Sequence, residues 1–197
     1  RGIGDGTLSL DRFRHWVRQD YLYLIEYARL LSLATARAPD LDGMARFADL
    51  ARETLTTEME LHRSYARGFG ISPEEMERGT KAPTCQAYTD FLLRTAALGD
   101  YSELVAALLP CMWGFCEVGL RLKERELPQD PRYRSWIAMY ASQEFQDLAA
   151  WCRTLVDRVA QGLPPDDQRR MEEAFLTSSR YEYLFWEMAY RLEQWPV

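Results

Sequence analysis

Apolar residues recur along most of the chain at three- and four-residue steps, the spacing that lines one face of an α-helix. After Ser9 and Asp11, the residues Phe13, Trp16, Leu24, Tyr27, Ala28 and Leu31 keep this period, and Ala38-Pro39-Asp40 breaks it. A second helix is predicted from about Asp42 to Phe69, closed by Gly70. Ser72-Pro73-Glu74-Glu75 reads as a capping box with proline at the first helical position, so a short helix follows. Further helices are predicted from Pro83 to about Gly99 and from Asp100 to about Glu126, the latter interrupted at Pro110. Three more are predicted: Asp130-Pro131 to Tyr140, Ser142 to just before Pro164, and about Asp166 to Trp195. No alternating β-branched runs stand between turn signals, so no sheet is expected. The pattern is that of an all-α bundle, a single domain over 1–197.

Composition narrows the classes. A length of 197 residues with 47% hydrophobic content suits one domain with a sizeable core. The formal charge of -6 and the presence of only Lys81 and Lys123 as lysines argue against nucleic-acid binding, which needs clustered cations. The longest apolar runs, such as Leu104 to Met112, fall short of the roughly 20 residues a membrane span needs. Cys85, Cys111, Cys116 and Cys152 show no CxxC spacing, which suits reduced thiols in the cytoplasm. The first residues lack the apolar segment of a signal peptide. The chain opens at Arg1 without Met, so a further N-terminal segment is expected ahead of it.

The informative residues are polar ones that periodicity places on apolar faces, where an unpartnered carboxylate is costly. Asp20 sits amid the face defined by Phe13, Trp16, Tyr23, Leu24, Tyr27 and Leu31, with Tyr23 one turn on. It is either a structural acid tied to an arginine or tyrosines, or a functional one. Glu187 interrupts Tyr-Leu-Phe-Trp-Glu-Met-Ala-Tyr, a stretch apolar nearly all round. Burial there would raise its pKa and let it act as a general acid. A structural network with Tyr183 or Tyr190 is the competing reading. Cys111 follows Pro110 on a face shared with Leu104, Leu108, Phe115, Val118 and Leu122, where a proline kink can open a cavity beside the thiol. Most such cysteines are inert core residues. Glu117 is read as structural. Aromatic residues, 13% of the chain, suit either a plain core or walls for a flat heterocycle. With only His15 and His62, a paired Glu-x-x-His di-iron site is excluded, and Glu58 with His62 makes no metal site. There is no phosphate-cradling glycine loop, and no cofactor is expected.

Taken in order, several segments resemble the TenA (thiaminase II) family. They are Gly4-Asp5-Gly6-Thr7-Leu8, Gln19-Asp20-Tyr21-Leu22-Tyr23-Leu24, Glu58-Met59-Glu60-Leu61-His62, Ala82-Pro83-Thr84 with Ala87-Tyr88-Thr89, and Leu109-Pro110-Cys111-Met112-Trp113. Ser178-Ser179-Arg180-Tyr181-Glu182-Tyr183 and Phe185-Trp186-Glu187-Met188-Ala189-Tyr190 complete the set. The resemblance implies a haem-oxygenase-like helical fold. It also implies hydrolysis of 4-amino-5-aminomethyl-2-methylpyrimidine to the hydroxymethylpyrimidine in thiamine salvage, with thiamine as a slower substrate. By the same likeness Cys111 adds to the pyrimidine ring, Glu187 protonates a ring nitrogen and Asp20 binds the ring amidine. Tyr140 would support the acid, and Tyr23, Tyr88 and Phe115 would line or stack on the ring. Phe115 stands where a tyrosine is common, so one hydroxyl is absent. A cytoplasmic homotetramer is implied. The rival readings are a haem- or quinone-precursor-handling enzyme on the same fold, with His15 as axial ligand, and a regulatory protein acting through surface contacts.

Overall fold

The computed structural model describes residues 2–196 and places helices along most of them. A short α1 (Gly2–Asp5) precedes α2 (Leu10–Arg37), which buries Phe13, Trp16, Val17, Asp20, Tyr23, Leu24 and Tyr27 on one side. Asp40 caps α3 (Leu41–Glu53), its side chain accepting from the Gly43 N–H at 2.7 Å. The predicted long second helix is continuous, but it contains a π-helical turn, Thr54–Glu58, before α4 (Met59–Gly68). The Met59 N–H reaches back five residues to the Thr54 carbonyl, and the buried positions step by five from Thr54 to Met59. Every inward-facing residue after this turn is therefore advanced by one position. Gly70 ends the segment at φ +70°, a left-handed conformation that glycine adopts without strain. Ser72 forms the anticipated capping box ahead of α5 (Pro73–Glu77).

The remaining helices are α6 (Pro83–Leu98), α7 (Tyr101–Lys123), α8 (Pro131–Tyr140), α9 (Gln143–Gln161) and α10 (Pro165–Arg191). Helix α7 is the axis of the bundle and packs against α2, α6, α8, α9 and α10. At 23 residues with a mean hydropathy of 1.5, α7 is long and apolar enough to cross a membrane, which the shorter apolar runs alone did not suggest. Most of that stretch is buried by the surrounding helices, and this accounts for its composition. A Cβ at Gly119 would lie 2.7 Å from the Tyr140 carbonyl carbon, so this glycine lets α7 lie directly against the end of α8.

Two boundaries differ from the sequence reading. Helix α7 runs unbroken through Pro110. Carbonyls of the turn before the proline receive side-chain donors: the Tyr27 hydroxyl donates to Leu108 O at 2.9 Å and Ser178 Oγ to Ala107 O at 2.6 Å. Proline withholds its N–H from the Ala106 carbonyl, and these donors anchor the two residues that follow Ala106. Helix α10 ends at Arg191 rather than near Trp195, with Leu192 left-handed at φ 56°. The Glu193 carboxylate then caps α6, accepting from Thr84 N at 2.9 Å and Thr84 Oγ1 at 3.1 Å.

Candidate active site

Helices α2, α7 and α8 and the π-turn converge on one narrow internal cavity. Its walls include Asp20, Tyr23, Tyr27, Glu58, Cys111, Phe115, Tyr140 and Phe145. The free space holds no more than about one water, so a ring enters only as side chains move. Phe115 and Tyr140 pack with ring centroids 4.9 Å apart, and Tyr23 lies 5.2 Å from Tyr88 on α6. Tyr88 in turn stacks on Tyr181 at 5.3 Å.

Cys111 sits one residue beyond the proline, on the face of α7 that looks into this space. Burial, then the neighbouring Glu182, Glu58 and Asp20, push its thiol well above the ordinary range. The Tyr23 hydroxyl works against them: it is buried with no partner of proper hydrogen-bond geometry, yet it lies close enough to Cys111 to favour the thiolate.

Asp20 is buried, and its Oδ2 lies 2.6 Å from Nε2 of His62 on α4. The ring N–H is not directed along this contact, so it is an ion pair more than a hydrogen bond. His62 Nδ1 meets the Glu58 carbonyl at 2.9 Å, which requires that nitrogen to donate. Burial alone would lower the imidazole's pKa. Asp20 and Glu58 outweigh it and raise the pKa, and with both ring nitrogens facing acceptor oxygens the arrangement suits an imidazolium. Glu58 accepts from the Tyr140 hydroxyl at 3.0 Å. Burial, followed by repulsion from Asp20, pushes the Glu58 carboxyl up to about 7.

A second acid approaches from α10. Glu182 lies 2.7 Å from the Tyr88 hydroxyl, which is 2.9 Å from Ser178 Oγ, which donates to Ala107 O at 2.6 Å. Burial pushes the Glu182 carboxyl up to about 7, against the Tyr88 hydroxyl, which donates to it and favours the ionised form.

The structure thus brings Asp20, Tyr23, Cys111, Phe115 and Tyr140 to a single cavity, with Tyr88 directly behind Tyr23. Glu187 does not join them. It lies on a separate apolar groove with Trp16, Val118 and Tyr190, and pairs with exposed Arg191 at 2.9 Å. The stretch around it is not buried all round: Tyr183, Leu184 and Tyr190 are exposed. The phase of α10 explains the difference. Met171, Ala174, Ser178, Phe185 and Ala189 form the buried stripe, and Glu182 falls in step with it four residues after Ser178. Glu187 is two residues past Phe185, about 200° round the helix. Counting from Ser178 rather than from the densest aromatic run would have found Glu182. Glu58 and His62 were visible as a four-residue pair, but the π-turn that aims them has no sequence signal. Elsewhere, Glu117 accepts from Trp113 Nε1 at 3.0 Å, a structural tie. His15 lines a different surface groove with Arg18, Glu193 and Trp195. Among the described residues, no group of three or more His, Cys, Asp or Glu is arranged to hold a metal ion.

An all-α bundle with a thiol, carboxyls and tyrosines gathered around one internal cavity defines a class of helical proteins with a cluster of reactive side chains inside the bundle. The chain belongs to the TENA/THI-4/PQQC family, whose model matches residues 1–192. It is 45% identical to the aminopyrimidine aminohydrolase of Halalkalibacterium halodurans, over 99% of this chain and 88% of that protein. Among solved structures it is similar to a TenA homologue from P. horikoshii OT3, with 31% identity and a TM-score of 0.87, covering 96% of this chain and 87% of that one. A protein with a heme oxygenase-like fold from Shewanella denitrificans shares the fold, with a TM-score of 0.72 at 12% identity over 97% of this chain and 82% of that one.

Proposed function

We propose that the protein is an aminopyrimidine aminohydrolase of thiamine salvage, replacing the amine of 4-amino-5-aminomethyl-2-methylpyrimidine by hydroxyl, with Cys111 as nucleophile and Glu182 as acid. The observation that carries the assignment of the acid is position: Glu182 lies near enough to Cys111 to be the first charge acting on its thiol, and burial pushes its own carboxyl up to about 7. An aminopyrimidine resists nucleophiles until a ring nitrogen is protonated, so acid and thiol must act together. Glu182 gives its proton to the ring nitrogen, then takes the proton of Cys111 as sulfur bonds the ring carbon. Addition breaks aromaticity, the methylene–nitrogen bond opens, water bonds the methylene, and sulfur leaves as the ring nitrogen returns its proton. Asp20, held by the His62 cation, accepts from the ring amidine. The excess of buried carboxyls favours a cationic substrate, which also supplies the opposite charge that Cys111 lacks in the empty cavity. Homology at 45% identity over nearly the whole length supports the same activity. An exposed apolar strip of Leu176, Tyr183 and Leu184 on α10 supports the homotetramer that the family likeness implies.

The test is hydrolysis of the aminomethylpyrimidine and of thiamine by the wild type and Cys111→Ser. Near-complete loss with the helical signal intact is expected. Unchanged turnover in the serine variant would remove the covalent mechanism.

A further inference from the structure

We infer that Glu58 binds the amine of the aminomethylpyrimidine and carries the proton between the incoming water and the departing ammonia, a role separate from that of Glu182. The inference rests on the pocket reading proposed above. Its first support is position. Glu58 is part of the cavity wall itself, beside Asp20 and across from Cys111. In the substrate, the ring atom that carries the methylene is bonded to the amidine carbon. A ring anchored through its amidine on Asp20 therefore presents its amine next to Asp20, where Glu58 stands.

The second support is the backbone. The π-turn ends on Glu58, and such turns are rare and concentrate at functional sites. It sends Met59 into the core and leaves Glu58 facing the cavity, with His62 one turn on against Asp20. The third is hydrogen bonding. Tyr140 donates to Glu58 Oε1 at 3.0 Å, and among the described residues no donor of hydrogen-bond geometry meets the second oxygen. The Tyr140 contact calls for an acceptor, and a carboxylate is what an ammonium group needs.

The proton inventory closes. The amine enters as ammonium and is held by ionised Glu58. When the methylene–nitrogen bond breaks, both bonding electrons stay on nitrogen and ammonia is released. Water bonds the methylene through oxygen and gives one proton to Glu58, keeping the other on the product hydroxyl. Glu58 passes its proton to ammonia, which leaves as ammonium, and the carboxylate is restored.

Cys111→Ser, expected to bind without turnover, provides the background for the test. Titration with the aminomethylpyrimidine and with the hydroxymethyl product compares two ligands that differ only in the group facing Glu58. Adding Glu58→Gln is expected to weaken the amine by about tenfold or more and the alcohol by no more than about twofold. Adding Glu58→Asp should recover part of the preference. Equal weakening of both ligands, or no weakening of either, overturns the inference while leaving the pocket reading in place. Failure of Cys111→Ser itself to bind either pyrimidine overturns the pocket reading and this inference together. If Glu58→Gln loses its helical signal, Tyr140→Phe carries the test. The groups facing Glu58 are Asp20 from α2, Cys111 from α7, Tyr140 from α8 and His62 on its own helix. Removing the Tyr140 donor makes the carboxylate harder to form, so the pH at which amine binding reaches half its maximum should rise. An unmoved midpoint counts against the inference.

Discussion

Glu58 and Glu182 are both partly buried carboxyls pushed up to about 7, and each accepts from a tyrosine hydroxyl, yet they stand in different places. Glu58 lines the cavity on the π-turn, where repulsion from Asp20 adds to burial in raising it. Glu182 comes from α10 and stands behind the cavity wall against Tyr88, which Ser178 holds from the other side. Position separates the two where the pKa does not. The lesson is general: a raised carboxyl is only a candidate acid until its place against the reacting groups is known.

The comparison breaks most visibly at Glu182. Glu182→Gln keeps the shape and cannot transfer a proton, so kcat for the aminomethylpyrimidine should drop by roughly 10²–10⁴-fold in steady-state assays. A drop smaller than tenfold would take the acid role away from Glu182. The same variant should show the opposite effect on stability. A carboxyl raised from 4.5 to about 7 favours the fold below pH 4.5 and withdraws that support as pH climbs through 7. At pH 8, where the buried group is ionised, Glu182→Gln should be the more stable protein by on the order of 1–3 kcal/mol in urea melts.

Ser178→Ala sharpens the comparison with a smaller effect. Without Ser178 competing for it, the Tyr88 proton is given to Glu182 alone and stabilises its carboxylate further. The pKa of Glu182 should fall, and the decline of kcat/KM on the alkaline side should begin at lower pH, with about a tenfold loss near pH 8. A profile unchanged in shape would mean that the chain does not set the proton on Glu182. The smallest effect is expected at Glu187. Its carboxylate is bound to Arg191 on an outer groove, so Glu187→Gln should leave kcat/KM within about twofold of wild type. A large loss there would return the acid role to Glu187.

The helical class and most helix limits follow from the chain's own period, its capping residues and its prolines, because these are local properties read within one turn. Asp20 and Cys111 stand out in the same way, as polar groups in phase with apolar neighbours. Glu187 shows where that reasoning fails. A dense aromatic run on α10 looks buried all round, but only the neighbouring helices decide which third of a helix is covered. The stripe through Ser178 and Phe185 takes Glu182 inward and leaves Glu187 at the rim. Glu58 depended on a single π-turn, and the pairing of His62 with Asp20 on α2 depended on helices far apart in sequence. Composition, period and caps determined that this chain forms an α-helical bundle with acids and a thiol on its inner faces. Only packing decided which acids stand near Cys111 and how far each is raised, since burial and hydrogen-bond partners are set by side chains from distant helices.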